Sequence, residues 1–170
     1  MHYLTAPWRA GYVRKALTMK GCIFCDAIKS EDDRKAAVLF RGRQNFIMLN
    51  RYPYTPGHLM IAPCRHVADF TKARPDEGQE LIELLQSALR ILGASYKPHG
   101  FNTGMNLGRS AGAGVAGHYH LHVIPRWTGD ANFMPLVGGT RVFIEGLDST
   151  YKRLRPLFDQ EKQRRERAGR

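Results

Sequence analysis

Gly117-His118-Tyr119-His120-Leu121-His122-Val123-Ile124-Pro125-Arg126 is the most informative segment of this 170-residue chain. Side chains of a β-strand alternate between two faces. Read as a strand over 118–124, the segment puts His118, His120 and His122 on one face and sends Tyr119, Leu121 and Val123 into a core. Three neighbouring imidazoles make a reactive surface. Neutral imidazole is a nucleophile and a metal ligand, and an ordinary pKa of about 6.5 lets it carry protons at neutral pH. A run of exposed histidines on a solvated strand is the bland alternative, and it leaves the nearby cysteine and glycine motifs unexplained.

Immediately upstream, Gly112-Ala-Gly114-Val-Ala-Gly117 matches the dinucleotide fingerprint GxGxxG. That fingerprint requires a helix to follow, so that its N-terminus meets a pyrophosphate. An alternating strand follows here, with Pro125 near its end, so the reading fails. No Gly-Lys-Ser/Thr occurs, which removes a Walker loop as well. What remains is a glycine-rich turn. Its N–H groups, around Gly112 and Gly114, can form an anion-binding nest, or it is an ordinary hairpin loop. Further upstream, Cys22-Ile-Phe-Cys25 has the spacing of half a zinc site. His66 and His118 are the partners that would complete a Cys2His2 set, whereas Cys64 reads as a small buried residue.

The flanking elements follow from periodicity. Val38–Phe40, Phe46–Asn50 and His58–Ala62 read as strands, the last two joined by the Pro/Gly turn over 51–57. Phe101–Leu107 reads as a further strand, and His66–Ala73 as a short helix. Leu81, Leu84, Leu85, Ala88, Leu89 and Leu92 recur at helical spacing, which predicts a helix over Asp76–Leu92 closed by Gly93. A second long helix is expected from Asp148 or Ser149. Without regular βαβ alternation, the class is α+β: a mostly antiparallel sheet of about five strands with two main helices. The expected organisation is an N-terminal arm over 1–20, a domain over 21–147 and a C-terminal helix with a basic tail over 148–170.

Composition sets the outer bounds. At 43% hydrophobic and 24% charged, the chain is ordinary globular protein, without a run of about 18 apolar residues to span a membrane. The first ten residues lack the apolar core of a secretory signal, and three cysteines do not build a disulfide scaffold, so the expected compartment is the reducing cytoplasm. The formal net charge is +11. Nearly half of it sits in residues 151–170, where eight Lys/Arg face three acids. A basic tail attracts polyanions without naming one, and a solvated helix end accounts for it without a nucleic-acid partner.

These residues together resemble the histidine triad family, whose pattern His-φ-His-φ-His-φ-φ is complete in His118-Tyr-His120-Leu-His122-Val-Ile. The similarity extends from about Gly21 to Gly139 and takes in Asn50-Arg-Tyr-Pro-Tyr-Thr-Pro-Gly-His58 and Asn106-Leu-Gly108. Ala6-Pro-Trp-Arg9, Ser110-Ala-Gly-Ala-Gly114 and Pro125-Arg-Trp-Thr-Gly-Asp-Ala-Asn-Phe133 are similar to the bacterial branch that processes diadenosine polyphosphates. The resemblance implies the fold of that family. It implies that His120 is a nucleophile attacking the α-phosphorus of a nucleotide, with His122 and His58 beside it as phosphate and imidazole contacts. Asn50 would bind the nucleotide's sugar region, and Asn106 would lie near the phosphates. It also implies a structural zinc on Cys22, Cys25, His66 and His118, no organic cofactor, and a homodimer joined through its sheets. Gly114 and Val115 stand where several relatives carry Gln followed by Ser or Thr, a departure that points away from the small phosphoramidase branch.

The expected activity is cleavage of a dinucleoside polyphosphate such as diadenosine tetraphosphate through a nucleotidyl-histidine intermediate. Phosphate as acceptor makes it a phosphorylase, which the branch resemblance and the open glycine loop favour; water makes it a hydrolase. The alternatives are a weakly active nucleotide-binding scaffold and a nucleic-acid-end nucleotidyl hydrolase.

Overall fold

The computed structural model describes residues 21–130 and 145–168. The 1–20 arm, Ala6-Pro-Trp-Arg9 within it, and the end of the 125–133 motif lie outside the described residues. Five antiparallel strands form one sheet in the order β1-β2-β3-β5-β4. They are β1 (Val38–Arg41), β2 (Asn45–Leu49), β3 (Leu59–Pro63), β4 (Gly100–Met105) and β5 (Leu121–Arg126). Among the described residues, four helices accompany them: α1 (Ile23–Lys29), α2 (Asp33–Ala36), α3 (Pro75–Tyr96) and α4 (Leu147–Ala168). Short 3-10 turns occur at Phe70–Lys72 and Arg109–Ala111. The class is the α+β arrangement expected, with two short helices beyond the two long ones.

Period-2 alternation divides the central strands between two cores, and both faces of β2 and β3 are covered. Ile47, Leu49, Leu59 and Ile61 pack with Tyr119, Leu121 and Val123 beneath α3 and α4. Phe46, Met48, Met60 and Ala62 pack on the opposite face with Phe24, Ala27 and Ala36. The register of β1 slips between Val38 and Phe40. That irregularity lets consecutive Leu39 and Phe40 both join the helix-side core.

The long helices have clear stops and anchors. Pro75 starts α3, and the Glu77 carboxylate accepts the Arg74 N–H at 2.8 Å. Gly93 does not close the helix as expected. The chain continues to Tyr96 and ends on Lys97 in the left-handed region, φ 46°. The extra turn has a packing reason. A side chain on Gly57 (φ +75°) would meet Leu92 and Tyr96 at 3.1 and 3.2 Å, so the 51–57 turn closes tightly against the end of α3. Along α4, Leu154 and Phe158 are fully buried in the helix-side core. Its charges are largely committed locally: Arg155 donates to Asp33 at 2.8 Å, and Glu161 accepts from Ser87 and Arg164 at 2.7 Å.

The short helices escaped the sequence reading. A seven-residue helix is marginal alone. α1 is held by burial of Phe24 and Ala27 and by Arg41, whose guanidinium donates to the carbonyls of Ala27, Ile28 and Ser30 at 3.1, 2.7 and 2.8 Å. The helix expected over 66–73 is reduced to the single turn Phe70–Lys72. The triad strand also begins later than expected, at Leu121, because the Tyr119 N–H donates to the Val67 carbonyl at 2.9 Å rather than to β3. Among the described residues, no helix is long and apolar enough to cross a membrane.

Candidate active site and metal centre

On the sheet face carrying α1, six rings run in a row. His66 meets His118 (5.3 Å between centroids), His118 meets Phe24 (5.0 Å), and Phe24 meets His120 (4.7 Å). His120 meets His122 (4.8 Å), and His122 meets His58 (5.1 Å). Strand pairing produces this row: His122 lies opposite Met60 of β3, and His58 immediately precedes that strand. His118 and His120 lie ahead of the ladder but keep its alternation, since Tyr119, Leu121 and Val123 all enter the core.

Carbonyl partners assign the protons, because a carbonyl can only accept. His118 donates Nε2–H to the Pro63 carbonyl at 2.9 Å, leaving Nδ1 as a lone pair. His120 donates Nδ1–H to the His118 carbonyl at 2.9 Å, leaving Nε2 as a lone pair. Burial lowers the pKa of both, that of His118 to about 4, so both rings are neutral at pH 7. A second relay runs alongside. The Tyr54 N–H donates to His58 Nδ1 at 3.1 Å, so His58 carries its proton on Nε2 and donates it to His122 Nδ1 at 2.9 Å. His122 is thereby left with Nε2–H as a donor.

A cleft of about 930 Å³ opens over this row. His120, His122, Asn50, Asn106, Gly112 and Gly114 line it. His58 is 1% exposed and sits behind His122, so its contact is with the imidazole and not with the cleft. Asn50 braces the turn that follows β2, accepting the Tyr52 N–H on Oδ1 at 2.9 Å. Asn106 Nδ2 donates to the Gly112 carbonyl at 3.4 Å. A strand and not a helix follows the glycine loop, which removes the dinucleotide-fold reading structurally.

At the other end of the row, one donor atom from each of Cys22, Cys25, His66 and His118 lies within 4.8 Å of the rest. The sulfur–nitrogen separations are 3.2 Å (Cys25–His66), 3.4 Å (Cys22–His118) and 3.8 Å (Cys25–His118). A tetrahedral zinc with ordinary bond lengths sets sulfur and nitrogen ligands about 3.5 Å apart. The His118 nitrogen facing the sulfurs is the lone pair, and its other nitrogen is held by Pro63, which is how metal-binding imidazoles are oriented. The four residues fit a metal. His66 is placed by its neighbour: Arg65 forks onto the buried Glu77 carboxylate with two 2.9 Å bonds.

Two contributors went unread in the sequence. Phe24 wedges between His118 and His120, and Tyr54 stacks on His58 (4.9 Å) while fixing its tautomer. Their signals were present, one inside the Cys-x-x-Cys motif and the other four residues before His58.

Residues 31–129, more than half of the chain, match the model of the HIT domain. The chain belongs to the HIT domain family. Over 122 residues it is 44% identical to an AP-4-A phosphorylase of Mycobacterium tuberculosis, a match covering 72% of this chain and 63% of that protein. This HIT chain therefore spans less than two thirds of that curated relative's length. Among solved structures, it is similar to a Zn-bound histidine triad family protein from Mycobacterium smegmatis, with TM-score 0.66 and 23% identity over 87% of this chain and 98% of the other. A hypothetical histidine triad nucleotide-binding protein from Sulfolobus tokodaii aligns with TM-score 0.65 and 26% identity over 83% and 94% of the two chains. The sheet, the long helices and the histidine row are thus set in a HIT fold.

Proposed function

We propose that this HIT protein cleaves dinucleoside polyphosphates of the diadenosine tetraphosphate type by nucleotidyl transfer through His120. The observation that carries the reading is the His120 tautomer: a neutral ring, its Nδ1–H held by the His118 carbonyl, presents the Nε2 lone pair to the cleft. Nε2 attacks the α-phosphorus, a P–N bond forms, and the bond to the leaving polyphosphate oxygen breaks. The Nδ1–H stays on the ring, and the His118 carbonyl stabilises the charge that develops there. His122 Nε2–H donates to the phosphate, with His58 and the Tyr54 N–H holding it in that tautomer. The backbone N–H groups of Gly114, Val115 and Ala116 donate to no backbone carbonyl among the described residues, so they can donate to phosphate oxygens. The apolar wall of Ile23, Phe24, Ala27, Met48 and Met60 suits an adenine ring, and Asn50 and Asn106 border the sugar and phosphates.

In the second step an acceptor oxygen attacks phosphorus and the P–N bond breaks. With inorganic phosphate the products of diadenosine tetraphosphate are ADP and ATP; with water they are AMP and ATP. We favour phosphate, supported by the similarity to an AP-4-A phosphorylase. Zinc on Cys22, Cys25, His66 and His118 would have four protein ligands and no open position, so it supplies cross-linking of α1 to the triad. We place the protein in the cytoplasm as a homodimer paired through the exposed β4 edge. Incubation with diadenosine tetraphosphate, with and without phosphate, tests the reaction. ADP plus ATP appearing only with phosphate is expected, and no cleavage under either condition overturns it.

A further inference from the structure

The cleft is larger than one reacting end requires, and its charges are unevenly committed. Its volume of about 930 Å³ is near the top of the ~300–1,000 Å³ typical of small-molecule sites. The apolar wall from α1, β2 and β3 accounts for a base, and His120 fixes where the phosphorus must stand. Whatever lies beyond that phosphorus has to run along another wall, and the glycine loop supplies one.

That loop carries a cation. Arg109 opens its 3-10 turn and lines the cleft, exposed, between Gly108 (φ +84°) and Gly112 (φ +85°). Both glycines hold left-handed backbone that other residues adopt only with strain. The Asn106 side chain ties the far end of the turn through the Gly112 carbonyl. The arginine is therefore mounted on a defined turn.

Nine other described arginines each pair with a carboxylate. Arg51, the other arginine on the cleft, donates to the Lys35 carbonyl at 2.5 Å and so braces its own wall. Arg109 has neither kind of partner among the described residues. A guanidinium is a planar fork that matches phosphate oxygens two at a time, and an uncommitted one breaks no ion pair when it turns toward a ligand.

Resting on the nucleotidyl-transfer reading above, we propose that Arg109 is the subsite for the distal phosphates of the leaving nucleotide, making the enzyme select long polyphosphate chains. It makes and breaks no bond. A leaving group without further phosphates never reaches it, so its contribution grows with chain length.

The test compares the full chain with Arg109→Ala and Arg109→Lys on two substrates: diadenosine tetraphosphate and the p-nitrophenyl ester of AMP, which has no distal phosphate. Arg109→Ala is expected to lower kcat/KM by roughly 10–100-fold for the tetraphosphate, the range of a lost charged hydrogen bond, and by less than twofold for the ester. Arg109→Lys is expected to recover part of the loss. Equal losses on both substrates overturn the proposal, because the arginine would then only hold the loop. A binding arm separates this inference from the reading beneath it. In a His120→Asn background, calorimetry should show Arg109→Ala weakening adenosine 5′-tetraphosphate about tenfold while sparing AMP. Should the wild type cleave neither substrate while that difference persists, nucleotidyl transfer fails and the subsite stands. If the wild type cleaves the tetraphosphate and Arg109→Ala cleaves it equally well, the subsite alone fails.

Discussion

The two ends of the histidine row are built from the same side chain held in opposite tautomers. At the Cys end, His118 gives its Nε2 proton to Pro63 and turns Nδ1 toward two sulfurs. At the cleft end, His120 donates its Nδ1 proton to the His118 carbonyl, which leaves Nε2 as the lone pair of a ring that lines the cleft. The rings are two residues apart, both are buried and both are neutral. In the proposed reading, a ligand differs from a nucleophile by which ring nitrogen meets a backbone carbonyl. Phe24 lies against both, so the helix that carries the cysteines also sets the floor of the cleft.

The comparison breaks most sharply at the cleft end. His120→Asn removes the Nε2 lone pair while keeping a polar side chain of related size. Turnover of diadenosine tetraphosphate is expected to fall by about a thousandfold or more, with nucleotide binding retained. A steady-state assay that still found a tenth of the activity would dismiss the distinction between the two ends.

At the Cys end the expected effect is on stability. Metal analysis of protein prepared without chelators should find about one zinc per chain, because ligand binding to the folded state adds to its stability. Cys22→Ser should lose that zinc and lower Tm by roughly 5–10 °C, yet keep a sizeable share of kcat. Loss of kcat as complete as that of His120→Asn would mean that the two ends are one catalytic unit.

The smallest effect lies on the far face of the sheet and serves as the control. Arg164, Ser87 and Arg165 hold the Glu161 carboxyl at about 2, well below its ordinary 4.5. A depressed carboxylate stabilises the fold above its unfolded pKa, and the contribution is lost as pH falls from about 4.5 toward 2. Glu161→Gln should therefore cost about 1–2 kcal/mol at pH 7, reduced from the full shift because Arg164 is exposed. Thermal melts at pH 7 and pH 3 should show the deficit shrinking at the lower pH, with kcat unchanged at pH 7.

Much of the histidine row was legible because its signal is local. Alternation over residues 118–123 survives even where the chain leaves the sheet ladder, and the Cys-x-x-Cys half-site is met in the structure by its candidate partners His66 and His118. The parts that were not legible depend on distant partners. α1 is too short to announce itself and is held by Arg41 from the next strand. The final turn of α3, past Gly93, exists because Tyr96 packs against Gly57, some forty residues earlier. Arg65, the neighbour of His66, forks onto Glu77 at the start of α3, a contact between separate elements that no local pattern announces. Tautomers were out of reach altogether, since no sequence pattern says which carbonyl a ring will meet.

A rapid-quench mass measurement on the intact protein mixed with diadenosine tetraphosphate tests nucleotidyl transfer to His120 directly. An adduct of one adenylyl group per chain is expected, mapping to His120, stable to alkali and labile to acid as a phosphorus–nitrogen bond is. The same adduct should form in Cys22→Ser and be absent in His120→Asn. Cleavage of the substrate with no adduct at any time, or an adduct that persists in His120→Asn, would contradict it.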